Sequence, residues 1–165
     1  MTKPTSTTEA TVGLPERLSR LLRVLVGRPE LRQRGSMFAV ALVLRLAGVA
    51  LLGWVGYVHW LLWHLGYQHI SVDGPFFLID AIAGVVLAVV LLVWPRPLAG
   101  LLGAGFVAST IAALLISLSV GLFGFRESIS ASYVVLALVL ESIAVVILLA
   151  WMAIAVTGVA RRPNR

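Results

Sequence analysis

Cysteine is absent from this 165-residue chain. That excludes disulfides, thiolate metal sites, palmitoylation and any quinone-reducing CxxC device. Charge is nearly as scarce: 12% of residues are Asp, Glu, Lys or Arg, against 60% hydrophobic. Soluble domains are usually about 45–50% apolar. A chain of this length, with a mean hydropathy of +1.02, has too little interior to hide the surplus, so lipid is its natural solvent. Catalytic signatures are missing too: no Walker-type loop, no GxGxxG opening a Rossmann unit, no HExxH and no GxSxG. The polar connections at 66–74 and 124–132 are too short to carry an active site outside the bilayer. The expectation is a non-enzymatic protein with no catalytic residues, no metal and no cofactor.

The charge that is present has a pattern. The net charge of +6 resembles a nucleic-acid signal, but eleven of the thirteen Lys and Arg lie in the N-terminal segment, the PRP turn at 95–97 and the last five residues. Basic residues flanking apolar spans read as membrane orientation and headgroup contact, and no nucleic-acid partner is expected. Of the other two, Arg45 falls inside an apolar span and Arg126 in a loop. The positive-inside rule therefore puts both termini in the cytoplasm and the loops 66–74 and 124–132 outside. Twelve of the thirteen basic residues are Arg, and Ala, Val and Leu dominate. Such usage points to a high-GC bacterium and a bacterial cytoplasmic membrane.

The fold class is an all-α polytopic membrane protein: a four-transmembrane-helix bundle with an N-terminal basic amphipathic helix. Residues 1–13 are Thr-rich and without apolar periodicity, which predicts a disordered tail. In 14–28, Leu14, Leu18, Leu21, Leu22 and Leu25 share one helical face and Arg17, Arg20 and Arg23 the other. Such a helix suits the cytoplasmic interface, among anionic lipid headgroups. Residues 14–35 form this helix and its linker, 36–160 the membrane domain, and 161–165 a basic tail. The spans fall at about 37–59, 75–94, 98–122 and 133–159, each long enough for the hydrocarbon core. Trp54, Tyr57, Trp60 and Trp63 form an aromatic belt where the first span leaves the bilayer, and the apolar pattern continues to Leu65, so this helix protrudes or tilts. Pro75 opens the second span. The PRP turn makes spans two and three antiparallel neighbours. On span three Ala104, Ala108 and Ala112 recur every fourth residue, which permits close approach of another helix.

Three ionisable residues fall within the spans: Arg45, Asp80 and Glu141. Charges at such depth are costly and usually face a bundle interior or a cavity, so these three are the candidate intramembrane polar site. From a rise of about 1.5 Å per residue, Asp80 lies about 8 Å and Glu141 about 12 Å below the outer surface, with Arg45 about 12 Å from the inner one. Arg45 and Glu141 lean apart, so a pair between them competes with snorkelling of the Arg to the inner headgroups. Asp80 and Glu141 are placed to line an outward-facing pocket with His59 or His64 near its mouth. Loss of water there disfavours the charged carboxylate, which suits proton coupling or cation binding. The competing reading is that each carboxyl is a neutral structural group bonded to Ser or Thr on span three, where Ser109, Thr110, Ser117 and Ser119 are available. His59 and His64 are about 140° apart on a helix, and no second span supplies a His, so bis-His haem ligation across two helices lacks a ligand, a membrane redox or haem protein is the least favoured reading, and both read as interfacial residues beside Trp. His59, His64, Ser117 and Ser119 are the weaker candidates.

Phe76 and Phe77 open span two, Arg96 and Pro97 follow it, and Ser117, Val120, Gly121 and Leu122 close span three. In these features the middle half of the chain resembles a loose group of small actinobacterial four-span integral membrane proteins. The resemblance implies the four-span fold and a specific element at 117–124 on the outer face; it implies no activity and carries over no functional residue. Two function classes follow. The first is an accessory or structural membrane subunit that binds a protein partner or itself. The second is a small oligomeric transporter or proton-coupled carrier using the intramembrane carboxyls.

Overall fold

The computed structural model describes residues 16–29 and 35–160. The tails expected at 1–13 and 161–165, and most of the linker, lie outside the described residues. Five helices follow one another: α1 (Glu16–Val26), α2 (Gly35–Leu65), α3 (Asp73–Val93), α4 (Pro97–Ser119) and α5 (Val134–Ala160). A single 3-10 turn, Tyr67–His69, sits between α2 and α3. Among the described residues no strand forms, and the molecule is an all-α polytopic bundle with four helices long and apolar enough to cross a membrane. The outward surface supports this: mid-helix Val43, Val86 and Val146 are 65%, 51% and 64% exposed, an arrangement suited to hydrocarbon rather than water.

The four long helices run alternately up and down. One end of the bundle carries the connections 66–72 and 120–133 (the loop end); the other carries the 94–96 turn, α1 and the C-terminal end of α5 (the termini end). α2 packs chiefly on α3, α4 on α5, and the two pairs meet along α2 and α5. α3 and α4 are antiparallel neighbours, as the short turn requires, yet contact each other least among sequential neighbours of the four.

The closest approach lies between α2 and α3. A Cβ on Gly56 would stand 2.8 Å from the Ala81 carbonyl oxygen, and one on Gly84 would stand 2.8 Å from the Gly56 Cα. The two glycines thus bring backbone onto backbone, the packing by which small residues join helices in lipid. The stripe expected on span three divides instead. Ala104 is buried, but Ala108 and Ala112 are exposed. The inward face of α4 is made by Ala99, Gly100, Gly103, Ala104, Val107, Thr110 and Ser117; Gly100 meets Trp151 of α5, and Gly103 meets Leu52 of α2 and Leu148 of α5.

Leu52, Leu91, Val107, Leu148 and Trp151 are fully buried and fill the termini half as a dry core. Arg45 borders it. Its guanidinium donates through Nε to the Leu91 carbonyl (3.1 Å) and through a terminal nitrogen to that of Leu92, which satisfies acceptors left open at the end of α3. Arg96 stacks over Trp94 and donates to the Val26 carbonyl, tying α1 to the turn. α1 buries no residue fully; Leu18, Leu21 and Leu22 remain 41%, 60% and 42% exposed.

Candidate functional site

The loop half of the bundle holds a cavity of about 480 Å³. Its walls are α3, α4 and α5, with α2 behind and the 120–133 loop above. Four carboxyl groups line it: Asp73, Asp80, Glu127 and Glu141. Counting about 1.5 Å per residue from their helix starts, Asp80 and Glu141 both lie about 10 Å below the loop end. Both helices begin at that end, so both side chains lean toward it. His59 comes from the opposite direction on α2, and its lean carries it inward to the same level.

His59 and Asp80 face each other, Nε2 to Oδ2, at 3.9 Å. The other ring nitrogen, Nδ1, lies 2.9 Å from the Val55 carbonyl. A carbonyl only accepts, so Nδ1 carries a proton and donates. In neutral His59 the lone pair is then on Nε2, turned toward Asp80. At 3.9 Å the two groups are within reach of charge attraction but are not hydrogen bonded.

Glu141 is 3% exposed, and its Oε2 has no hydrogen-bond partner. The hydroxyl of Thr110 lies beside it, but that hydroxyl donates to the Val107 carbonyl at 2.8 Å, one turn back. The hydroxyl has a single proton, so it serves the Val107 carbonyl or Glu141 but not both. Asp73, 6% exposed in the first turn of α3, also keeps an oxygen, Oδ2, without a partner. Acceptors are thus in surplus, and His59 is the cavity's one basic side chain.

The roof is aromatic. Tyr67 donates to Glu127 Oε2 at 2.6 Å, and its ring meets Phe77 and Phe125 at centroid distances of 4.5 and 5.9 Å. Burial, and then the neighbouring Glu127, pushes the Tyr67 phenol well above its ordinary pKa. Phe123 stacks on Phe76 at 5.5 Å. The roof is built by a two-residue hairpin: Leu122 and Phe125 exchange both backbone bonds, at 2.7 and 2.8 Å, across Phe123 (φ 47°) and Gly124 (φ 89°). Two successive positive φ values define a type I′ turn, for which Gly124 is suited and Phe123 is not. Tyr133, at the far end of the loop, also has a positive φ of 72°. Two aromatic residues held in left-handed backbone, each costing on the order of 1–2 kcal/mol, both line the cavity. Of the lining residues, Phe76 on α3, Ser109, Ala112 and Ile116 on α4, and Phe123 and Tyr133 in the 120–133 loop are exposed. The cavity thus reaches the surface between α3 and α4, and also at the loop end beside Phe123 and Tyr133.

Of the residues singled out in the sequence, the structure brings Asp80, Glu141 and His59 together. Arg45 belongs to the other half and meets neither carboxyl. His64 stacks on Trp60 at 5.8 Å and is exposed, in line with an interfacial role. Ser117 lines the cavity, but its hydroxyl and carbonyl both receive the Glu127 backbone N–H, so it pins the loop. Ser119 is exposed and bonds back to Leu115 and Ile116 within its own helix. Sequence reasoning missed Tyr67, Asp73 and Glu127. The span assignment set all three in loops, and only Asp73, two residues before Pro75 and the apolar run that follows, carried a helix-start signal. Among the described residues no group of three or more His, Asp or Glu is placed to hold a metal ion. No protein-family model, curated protein or solved structure matches this chain.

Proposed function

We propose that the protein is a small proton-coupled membrane carrier that takes up a cation in the loop-end cavity. The observation that carries the reading is Glu141: a carboxyl 3% exposed, with an oxygen lacking any partner, in the wall of a cavity that also receives the His59–Asp80 pair. A purely structural carboxyl is usually satisfied by its neighbours. Here Oε2 has no partner, the nearby hydroxyl has one proton to share with the Val107 carbonyl, and an incoming cation or proton would complete the set. Intramembrane carboxyls of this kind mark ion and proton pathways.

The arginine distribution supports insertion in a bacterial cytoplasmic membrane with both termini inside, so the cavity faces outward. Reporter fusions check this: a fusion after Arg165 active only on the outside would reverse it. The exposed apolar face of α1 suits anchorage among anionic headgroups on the inner side. In proteoliposomes, Asp80→Asn with Glu141→Gln is expected to abolish pH-dependent flux while the protein stays folded; normal flux in the double variant would remove the carrier reading.

A second reading, an accessory subunit or homo-oligomer, is favoured by the outward face of α4. Gly105, Ala108 and Ala112 are exposed there, and nothing lies within 4 Å of a Cβ placed on Gly105. Such a face admits another helix. Recovery of a lone chain from native membranes in mild detergent would count against it.

A further inference from the structure

We infer that the cargo is a protonated amine carrying an apolar body, and not a metal ion or a bare proton; this rests on the carrier reading. Three observations converge. First, size: about 480 Å³ lies within the range of small-molecule sites, roughly 300–1,000 Å³, and far above the space of one inorganic ion. Second, walls: Phe76, Phe77, Phe123 and Phe125 line the same cavity as the carboxyls. Aromatic faces attract an organic cation and accommodate its hydrocarbon, whereas a hard metal ion needs six or more oxygen ligands that are not grouped here. Third, an unfilled acceptor: the partnerless oxygen of Glu141 is buried in the cavity wall and calls for an N–H donor. A primary or secondary ammonium supplies it. A quaternary ammonium carries equal charge but greater bulk and no donor, so it leaves that oxygen unsatisfied.

The sideways opening between α3 and α4 fits the same class, because an amphiphilic amine partitions into the bilayer before it binds. Charge then selects within the cavity. His59 is its one basic side chain and already faces Asp80, so Glu141 is left to meet the ammonium.

The test uses the full chain in nanodiscs at neutral pH, with empty nanodiscs as the blank. The probes are 2-phenylethylammonium, its N,N,N-trimethyl analogue, 2-phenylethanol, and calcium and sodium ions, followed by calorimetry. Proton release by the protein is recorded in the same cell. The expected result is binding of 2-phenylethylammonium at least about tenfold tighter than the trimethyl analogue or the alcohol, from the charge-assisted bonds that only the first makes. Glu141→Gln should remove most of this preference. Equal binding of the alcohol, or tighter binding of a metal ion, would overturn the inference. So would absence of amine binding while Asp80- and Glu141-dependent proton release persists, a result that would leave the carrier reading standing. Absence of both would remove both. The wild-type ligand series decides the matter even if the variant does not fold.

Discussion

Replacing Gly56 by Ala tests the contact on which the site depends. The added Cβ would stand 2.8 Å from the Ala81 carbonyl oxygen and 3.1 Å from the Val85 nitrogen. Both are helix backbone, so neither swings aside as a side chain would. Reaching ordinary contact at 3.4 Å requires a shift from 2.8 Å, about 0.6 Å of separation between α2 and α3. Overpacking of this kind costs about 1–3 kcal/mol. Against it stands the helix preference of Ala over Gly, about 1 kcal/mol. Gly53→Ala, nearly one turn away on the same helix, gains the preference without the clash, since nothing lies within 4 Å of a Cβ there. The difference between the two variants therefore isolates the packing term. Reversible unfolding in mixed micelles, followed by tryptophan fluorescence, should place G56A about 1–3 kcal/mol below G53A. His59 lies three residues beyond Gly56, and Asp80 adjoins Ala81, so the same displacement should lengthen their 3.9 Å separation. Equal stability of the two variants would refute the close α2–α3 crossing, and with it the positioning of the His59–Asp80 pair.

Three further outcomes are expected. The Tyr67 phenol ionises above the ordinary tyrosine range, so an ultraviolet pH titration should show a late tyrosinate step that Tyr67→Phe removes. Because this pKa is raised on folding, the linked stability is fully present below about pH 10 and is lost as the pH climbs toward the folded value; unfolding measured on either side of pH 10 checks the sign. Gly124→Ala places a Cβ at φ 89° in the I′ turn and should loosen the hairpin by about 1 kcal/mol, seen as faster amide exchange at Leu122 and Phe125. Arg45→Met removes two donors from the end of α3 and should lower stability by about 1–3 kcal/mol, while leaving cation uptake unchanged because Arg45 lies outside the cavity.

The architecture was legible because lipid imposes it. Apolar runs of about twenty residues, a turn as short as PRP and arginines gathered at one side leave few alternatives. The carboxyls Asp80 and Glu141 were legible for the same reason: charge inside an apolar span is conspicuous. Which of them meet was not. Arg45 and Glu141 differ in depth, but only the packing of α2 against α3 shows that Arg45 finds its acceptors on the Leu91 and Leu92 carbonyls. Span three ends at Ser119, not near Leu122, because Gly121 adopts a φ of 88° and the hairpin follows at once. Polarity did not reveal that hairpin, since Val120 and Leu122 read as the end of span three and Phe125 as part of the loop. Glu127 and Tyr67 looked like ordinary loop residues because the bond joining them spans sixty positions of sequence.

The absence of native cysteine permits a direct measurement of the cavity itself. Ala137 lines the cavity one turn from Glu141, and Val139 is an exposed residue of the same helix outside it. Single Cys variants at the two positions, in sealed vesicles, are treated from the loop side with a cationic and an anionic methanethiosulfonate of equal size. Ala137→Cys should react at least about tenfold faster with the cation, as expected for a cleft lined by one sign of charge. Asp80→Asn with Glu141→Gln should erase that preference, and Val139→Cys should react with neither reagent. An unreactive Ala137→Cys, or equal rates with both reagents, would contradict the existence of an accessible acidic cavity in this half of the bundle.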